Sequence, residues 1–348
     1  LEALVKQNAA LRVDGGILTT NPLDGAQQAR RLEELGYSGG FTFEGPHDPF
    51  LPLLTAASAT ENLELSTAIA VAFARNPMLL AQLAWDLQIA SQGRFTLGLG
   101  PQIKAHIERR FSMPWSQPAA RMRELVLAIR AIWACWQDGE KLAFTGEFFT
   151  HTLMPPMLSP GPNPFGKPKI YLAGVGPAMT EVAGEVGDGF IVHPLNSNAS
   201  LETLTLPALA AGRNKIGKTL NDFDISCQIM VAAGDTEEEL NTAIATIRAQ
   251  IAFYASTPAY KVILDCHGWG DLQPQAQQMT RENRWDLMNE LVSDEILNTF
   301  AVVGPTNEIA KKIQEKIKNH KIERISLVTP YTTDPSRFAE VVKTLSLC

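Results

Sequence analysis

Three short runs carry side chains of the kinds that move protons or hold anions. The first, Glu44-Gly45-Pro46-His47-Asp48, sets a carboxylate and an imidazole three positions apart. That pair suits general acid–base work, and it equally suits a polar loop with a turn-forming proline. The second run is Gly98-Leu99-Gly100-Pro101-Gln102-Ile103-Lys104-Ala105-His106. Gly100 permits a ligand to approach the backbone closely. Lys104 and His106 are candidates for an anionic substrate or for proton transfer, the alternative being a solvated lysine at a helix start. The third run, Ala173-Gly174-Val175-Gly176-Pro177, breaks an apolar stretch with glycines just before a proline suited to the first turn of a helix. Such a turn leaves backbone N–H groups uncovered at a helix N-terminus, where a phosphate binds readily. The competing reading is glycine required by a tight turn alone. Arg109, Arg110, Arg121 and Arg123 either pair with Glu108 and Glu124 or reach an acidic ligand. His193 closes a strand. His267, in CHGWG near Tyr260 and Trp269, belongs either to a lid or to a packed surface loop.

The elements that must position these runs alternate regularly. Apolar runs of strand length fall at 12–18, 41–43, 63–72, 95–99, 169–173, 190–192, 225–233 and 325–328. Helical periodicity follows at 23–35, 50–59, 77–91, 119–136, 177–186, 200–217, 236–254, 306–318 and 334–346. Eight alternations predict an α/β fold, a closed (β/α)8 TIM barrel with the helices outside; an open doubly wound sheet is the competitor. No linker divides the chain, so residues 1–348 are expected to form one domain. Two insertions interrupt it, a hairpin and proline-rich loop at about 141–165 and a mixed helical and loop segment at about 255–300. A barrel of this kind places its chemistry at the carboxyl ends of the strands, where all three runs fall. The run AIAVAFA after strand three is apolar beyond the needs of one strand. It reads as a floor under a flat ring or as ordinary barrel core.

With 348 residues, 45% of them hydrophobic, the chain can bury a large core. A net charge of −7 without a basic patch speaks against a nucleic-acid partner. No stretch approaches the roughly 20 apolar residues that cross a bilayer, and residues 1–16 show no secretory leader. Cys135, Cys227, Cys266 and Cys348 lack CxxC spacing and fit free thiols in a reducing cytoplasm. The six histidines form no HxH or HxxxH pair, so no metal site is expected, and neither a GxSxG elbow nor a phosphate-binding GxxxxGK[ST] loop is present.

Four blocks carry a resemblance across nearly the whole chain: LEELGYSGGFTFEGPHDPF, LELSTAIAVAFARNPMLLAQLAWDLQIASQGRFTLGLG, KPKIYLAGVGPAMTEVAGEVGDGFIVHP and VVGPTNEIAKKI. Together they resemble the bacterial luciferase-like monooxygenase superfamily, in particular its coenzyme F-420-dependent oxidoreductase branch of mycobacteria and related actinobacteria. The resemblance implies the same barrel, a small-molecule substrate and a homodimer. It implies a deazaflavin, coenzyme F-420, at the strand carboxyl ends, with FMN in a reduced-flavin monooxygenase as the alternative and a non-catalytic flavin-binding barrel as the third reading. It also implies a non-proline cis peptide at Ala68-Ile69 behind the ring, and cofactor phosphate at Ala173, Gly174, Val175 and Gly176. Gly100 and Lys104 join that cofactor set, and Glu44, His47 and His106 remain the candidates facing substrate. Sugar-phosphate dehydrogenases of this branch carry an Asp-His pair directly after strand two and a glutamate shortly after strand four. Here the runs are Glu44-Gly45-Pro46-His47 and Gln102-Ile103-Lys104, which speaks against a sugar-phosphate substrate.

Overall fold

The alternation of apolar runs and amphipathic segments closes into a barrel in the computed structural model, which describes residues 10–331 and 333–347. Its eight strands are β1 Arg12–Gly16, β2 Gly39–Thr42, β3 Glu64–Thr67, β4 Phe95–Gly100, β5 Lys169–Ala173, β6 Gly189–Val192, β7 Asp224–Ala233 and β8 Arg324–Val328. Each pairs in parallel with the next, and β8 returns to β1, so the eight strands close into a ring and the open-sheet alternative is excluded. The Cys348 thiol and the N-terminal stretch 1–9 lie outside the described residues. Among the described residues no helix is long and apolar enough to cross a membrane.

Two elements depart from the expected pattern, and both shape the carboxyl end of the barrel. The run 63–72 is not one strand. It pairs with β4 through Leu65 and Ser66, breaks at a cis peptide between Ala68 and Ile69, and resumes as the short strand Ala70–Val71. Ser66 lies opposite Thr96, and Ala70 lies opposite Leu99. Residues 67–69 therefore face only residues 97–98, the count of a β-bulge. Thr67 closes the gap: its hydroxyl donates to the Gly98 carbonyl at 2.7 Å and accepts the Gly98 N–H at 2.9 Å. A Cβ on Gly98 would sit 1.8 Å from the Thr67 carbonyl oxygen, so no other residue fits.

The second departure is the length of β7. Asp224 to Cys227 pair with β6, but the strand continues to Ala233, about 20 Å further at the usual rise per residue. A ninth parallel strand, Ala301–Gly304, pairs with that extension. Met230 faces Val328 on one side and Ala301 on the other, so the added strand continues the edge that β6 occupies lower down. The apolar runs of strand length named from the sequence do not include this segment. The segment between these strands carries helices Glu237–Ala255, Lys261–Asp265, Leu272–Arg281 and Asp294–Phe300 joined by loops. It has its own apolar cluster, including Met230, Ile247, Ile251, Leu264 and Phe300, and stands as a cap beside the β6–β7 side of the mouth.

Lower in the barrel the interior is charged, which strand patterning did not anticipate. Arg324 is 9% exposed and pairs with both Asp14 and Glu64. Asp224 accepts from Lys169 and from the Tyr171 hydroxyl. A small void of about 20 Å³ remains among Asp14, Ser66, Thr96, Ser226 and Arg324. Burial pushes the Asp14 carboxyl above its usual range against the opposing pull of Arg324. Removing one partner of such a set leaves a buried charge unpaired. Arg324→Met should therefore cost about 3–5 kcal/mol in urea unfolding, and adding Asp14→Asn should recover part of that loss.

Candidate active site

The mouth of the barrel is assembled from the bulge after β3, the loop after β2, the helix after β4 and the turn after β5. The bulge presents Ala68 and Ile69, both half-buried. Ile69 fills the space beside Gly100, where a Cβ would meet its Cγ1 at 2.9 Å. The direction a Gly100 side chain would take is thus occupied by Ile69. Directly after β2, Phe43 is 49% exposed, and Leu18, just beyond β1, is 57% exposed. The strand ends thus offer an apolar surface to whatever binds there.

Glu44 holds the bulge in place. Its backbone N–H donates to the Ile69 carbonyl at 2.9 Å, and its side chain accepts the Val71 N–H at 2.7 Å and Arg75 Nη1 at 2.6 Å. Arg75 in turn reaches Asp48 at 2.8 Å and lies over the Phe50 ring, 5.3 Å from its centroid. Burial works against the Arg75 charge, but the hydrogen bonds and charges of Glu44 and Asp48 outweigh it and raise its pKa. Glu44 is 6% exposed and Arg75 14%. With its carboxylate engaged by a buried cation and a backbone donor, Glu44 clamps the bulge in place.

The other two candidates stand on the rim. His47 and His106 are exposed, and among the described residues no hydrogen bond or ion pair joins either of them to Glu44. Their two runs do meet, because Arg110 donates to the Gly45 carbonyl. Lys104 begins the helix Lys104–Arg109 with its side chain 64% exposed, 3.7 Å from Glu108. Arg121 and Arg123 do not pair with Glu124. Arg121 is buried, donates to the Pro114 carbonyl and packs on Phe73 and Phe149. Arg123 pairs with Glu185 at 2.7 Å, and Glu124 instead accepts the N–H groups of Glu147, Phe148 and Phe149 in the hairpin of the first insertion.

After β5, Gly174 is dictated by packing, since a Cβ there would lie 2.5 Å from Met179 Cγ. Gly176 differs: nothing lies within 4 Å of the position its Cβ would take, and it is the N-cap of helix Pro177–Val186. Among the described residues the N–H groups of Gly174, Val175 and Gly176 have no acceptor. The turn therefore combines an open space with unpaired donors at the positive end of a helix. Beyond β6 stands a histidine that sequence reasoning left out of the site. His193 packs against Tyr254 and Tyr260 of the cap, with ring centroids 4.6 Å and 4.5 Å away. Its place at a strand end was the available signal.

A groove of about 640 Å³ lies away from the mouth. It follows the outer face of helix Pro77–Ala90 between Leu83, Trp136 and Met157, and touches the mouth only at Arg75. Barrels of this kind carry their chemistry at the strand carboxyl ends, so the site lies in the mouth. Glu44→Ala, which leaves Arg75 and the Val71 N–H unpaired, should cost about 3 kcal/mol in chemical denaturation and speed hydrogen exchange at Val71. Glu44→Gln keeps an acceptor and should lose less than half of that; an unchanged stability for both would show that the clamp is not real.

Comparison with known proteins agrees with this geometry. The model of the luciferase-like monooxygenase family matches residues 7–322. An uncharacterised protein of Mycobacterium tuberculosis (strain H37Rv) is 52% identical over 307 residues, covering 88% of this chain and 90% of that protein. A 5,10-methylenetetrahydromethanopterin reductase of Archaeoglobus fulgidus is 26% identical, covering 76% of this chain and 77% of its own length. Among solved structures, the coenzyme F-420-dependent tetrahydromethanopterin reductase of Methanopyrus kandleri superposes with a TM-score of 0.78 at 19% identity, covering 97% of both chains. The closed parallel barrel, the bulge after its third strand and a family match spanning most of the sequence lead to one statement: the chain belongs to the luciferase-like monooxygenase family.

Proposed function

We propose that this enzyme is a coenzyme F-420-dependent oxidoreductase, passing a hydride between the deazaflavin and a small organic substrate. The observation that carries the reading is the pairing, at one barrel mouth, of an apolar shelf at Ala68-Ile69 with an unpaired anion cradle at Gly174–Gly176. A ring needs the first and a phosphate the second. The fit is testable on the chain itself: the cradle has room at Gly176, and its donors have no protein acceptor among the described residues.

When bound, the deazaflavin supplies the hydride chemistry. The chain supplies the rest. Ala68 and Ile69 support the ring by apolar contact, and the Glu44–Arg75 clamp keeps that shelf at fixed height. Ala173 to Gly176 take the phosphate. Lys104, exposed on the rim, meets the acidic tail, and Gly100 lets Ile69 settle into the shelf. His47 and His106 stand in water at the rim, where a proton can be exchanged with solvent. The same shelf and cradle would serve FMN, so a reduced-flavin monooxygenase is the competing reading, and its relatives of known name favour the deazaflavin. Leu51 and Leu54 are exposed on helix Phe50–Ala59 and Leu79 on the neighbouring helix Pro77–Ala90, and these two helices are where a homodimer contact is expected.

Offered F-420 and FMN in competition, the protein should quench deazaflavin fluorescence with a dissociation constant of about 1 μM or tighter and release it only at a large excess of FMN. Gly176→Asp places a carboxylate in the cradle without a clash, and aspartate is a good N-cap. Its melting temperature should not fall, while F-420 affinity should drop about tenfold or more. Unaltered affinity in that variant would remove the cradle from the proposal.

A further inference from the structure

The wall formed after β6 and β7 has a chemistry of its own. His193 follows β6 directly, and its ring is packed between Tyr254, at an interplanar angle of 73°, and Tyr260, at 45°. The two tyrosines are themselves 6.1 Å apart. Three aromatic rings, each bearing a polar atom, thus meet in one corner. Val175 of the cradle turn packs on the same apolar cluster as Tyr254 and Tyr260. In the ring of strands β7 lies opposite β3, so the corner faces the Ala68-Ile69 shelf across the mouth.

The histidine has one tautomer available. The Leu195 N–H donates to His193 Nδ1 at 3.1 Å, so Nδ1 is an acceptor and the ring proton sits on Nε2. That Nε2–H has no partner among the described residues. Burial alone pushes the imidazole pKa down to about 3, so the ring is neutral. Burial likewise pushes the Tyr260 phenol up to about 12 and raises Tyr254, which also feels Tyr260 and bonds to Gln250. Among the described residues, no hydrogen bond or ion pair joins a lysine, arginine, aspartate or glutamate to the side chain of any of the three. The cations of the mouth are elsewhere, at Lys104 and Arg110 beyond β4 and at Arg75 beyond β3.

A carboxylate or phosphate set into this corner would lose its hydration and gain no counter-charge. A neutral oxygen suffers no such loss and gains hydrogen bonds from N–H and O–H donors that have few other partners. We infer that His193, Tyr254 and Tyr260 form a charge-free corner that binds the oxygen of an uncharged carbonyl or hydroxyl compound, with the His193 Nε2–H as donor. This names the substrate class of the oxidoreductase proposed above and rests on that reading for its place in catalysis, but the binding itself needs no cofactor.

The test uses the full chain without cofactor. Cyclohexanone and cyclohexanol serve as neutral probes, and cyclohexanecarboxylate and phenyl phosphate as charged ones. Nitrogen-15 spectra of histidine-labelled protein should show His193 as a neutral Nε2–H ring across about pH 5–8, and cyclohexanone should shift that signal alone among the histidines. His193→Phe should weaken cyclohexanone binding about tenfold, while His193→Gln, which restores an N–H donor, should stay within about threefold of the parent. Titration of His193 within that pH range, tighter binding of either charged probe at this signal, or equal binding by His193→Phe overturns the inference. If the phenylalanine variant fails to fold, Tyr260→Phe and the parent spectra decide it in the same way. Deazaflavin fluorescence is read separately: its failure to bind the parent sinks the cofactor reading and leaves the probe result standing.

Discussion

The approach of β3 to β4 constrains everything at the mouth. The Thr67 carbonyl comes so near Gly98 that a Cβ would lie 1.8 Å away, and the Thr67 hydroxyl takes both polar groups of Gly98. With Thr67 committed sideways, the chain cannot continue as an even strand, and the extra residue is spent on the bulge that turns Ala68 and Ile69 toward the mouth. Two further contacts depend on that turn. Ile69 occupies the space beside Gly100, and its carbonyl accepts the Glu44 N–H. The shelf is therefore fixed from the β4 side by missing side chains and from the β2 side by a carboxylate.

Glycine and glutamate contribute through different physics. At Gly98 and Gly100 the constraint is steric and short-ranged, so substitution acts on local geometry. At Glu44 it is electrostatic and extends through Arg75 to Asp48 and Phe50. A largely buried ion pair is poor as a source of net stability and effective as a specifier of arrangement, because every alternative packing leaves a charge unpaired. That suits a rim whose duty is to hold a flat surface at one height.

Much of the fold was legible because it is repetitive. Eight apolar runs at barrel spacing, each followed by helical periodicity, leave few topologies, and the strand bounds are missed by only a few residues. The failures have identifiable causes. The run 63–72 is apolar throughout, and apolarity does not record where a strand bulges. Val302 and Val303 are too few to signal a strand until β7 is seen to outrun β6. Asp14, Glu64 and Arg324 lie on strands that read as ordinary barrel staves, since the seam that closes β8 onto β1 joins residues 310 positions apart, as for Arg324 and Asp14. At the site, residue type was a weaker guide than partners. Glu44 has the chemistry of an acid or base, but Arg75 and the Val71 N–H engage it. His193 has ordinary flanks, and only the tyrosines from a segment some 60 residues later give it an environment.

The mouth is polar in an ordered way. Cations cluster beyond β3 and β4, unpaired backbone donors lie after β5, and uncharged aromatic heads stand after β6 and β7. Each region excludes something. The cradle favours an anion and gives an apolar group nothing. The corner does the reverse for a charge, because neither His193 nor the tyrosines carry one to offset desolvation. A ligand spanning the mouth is thereby oriented without any specific ion pair at its reacting end. A neutral imidazole with its proton fixed on Nε2 can polarise an oxygen, but it cannot readily surrender that proton. On the reading proposed, hydrogen bonding and proton delivery are consequently divided, the first given to the buried corner and the second left to exposed groups of the rim, where His47 and His106 meet water.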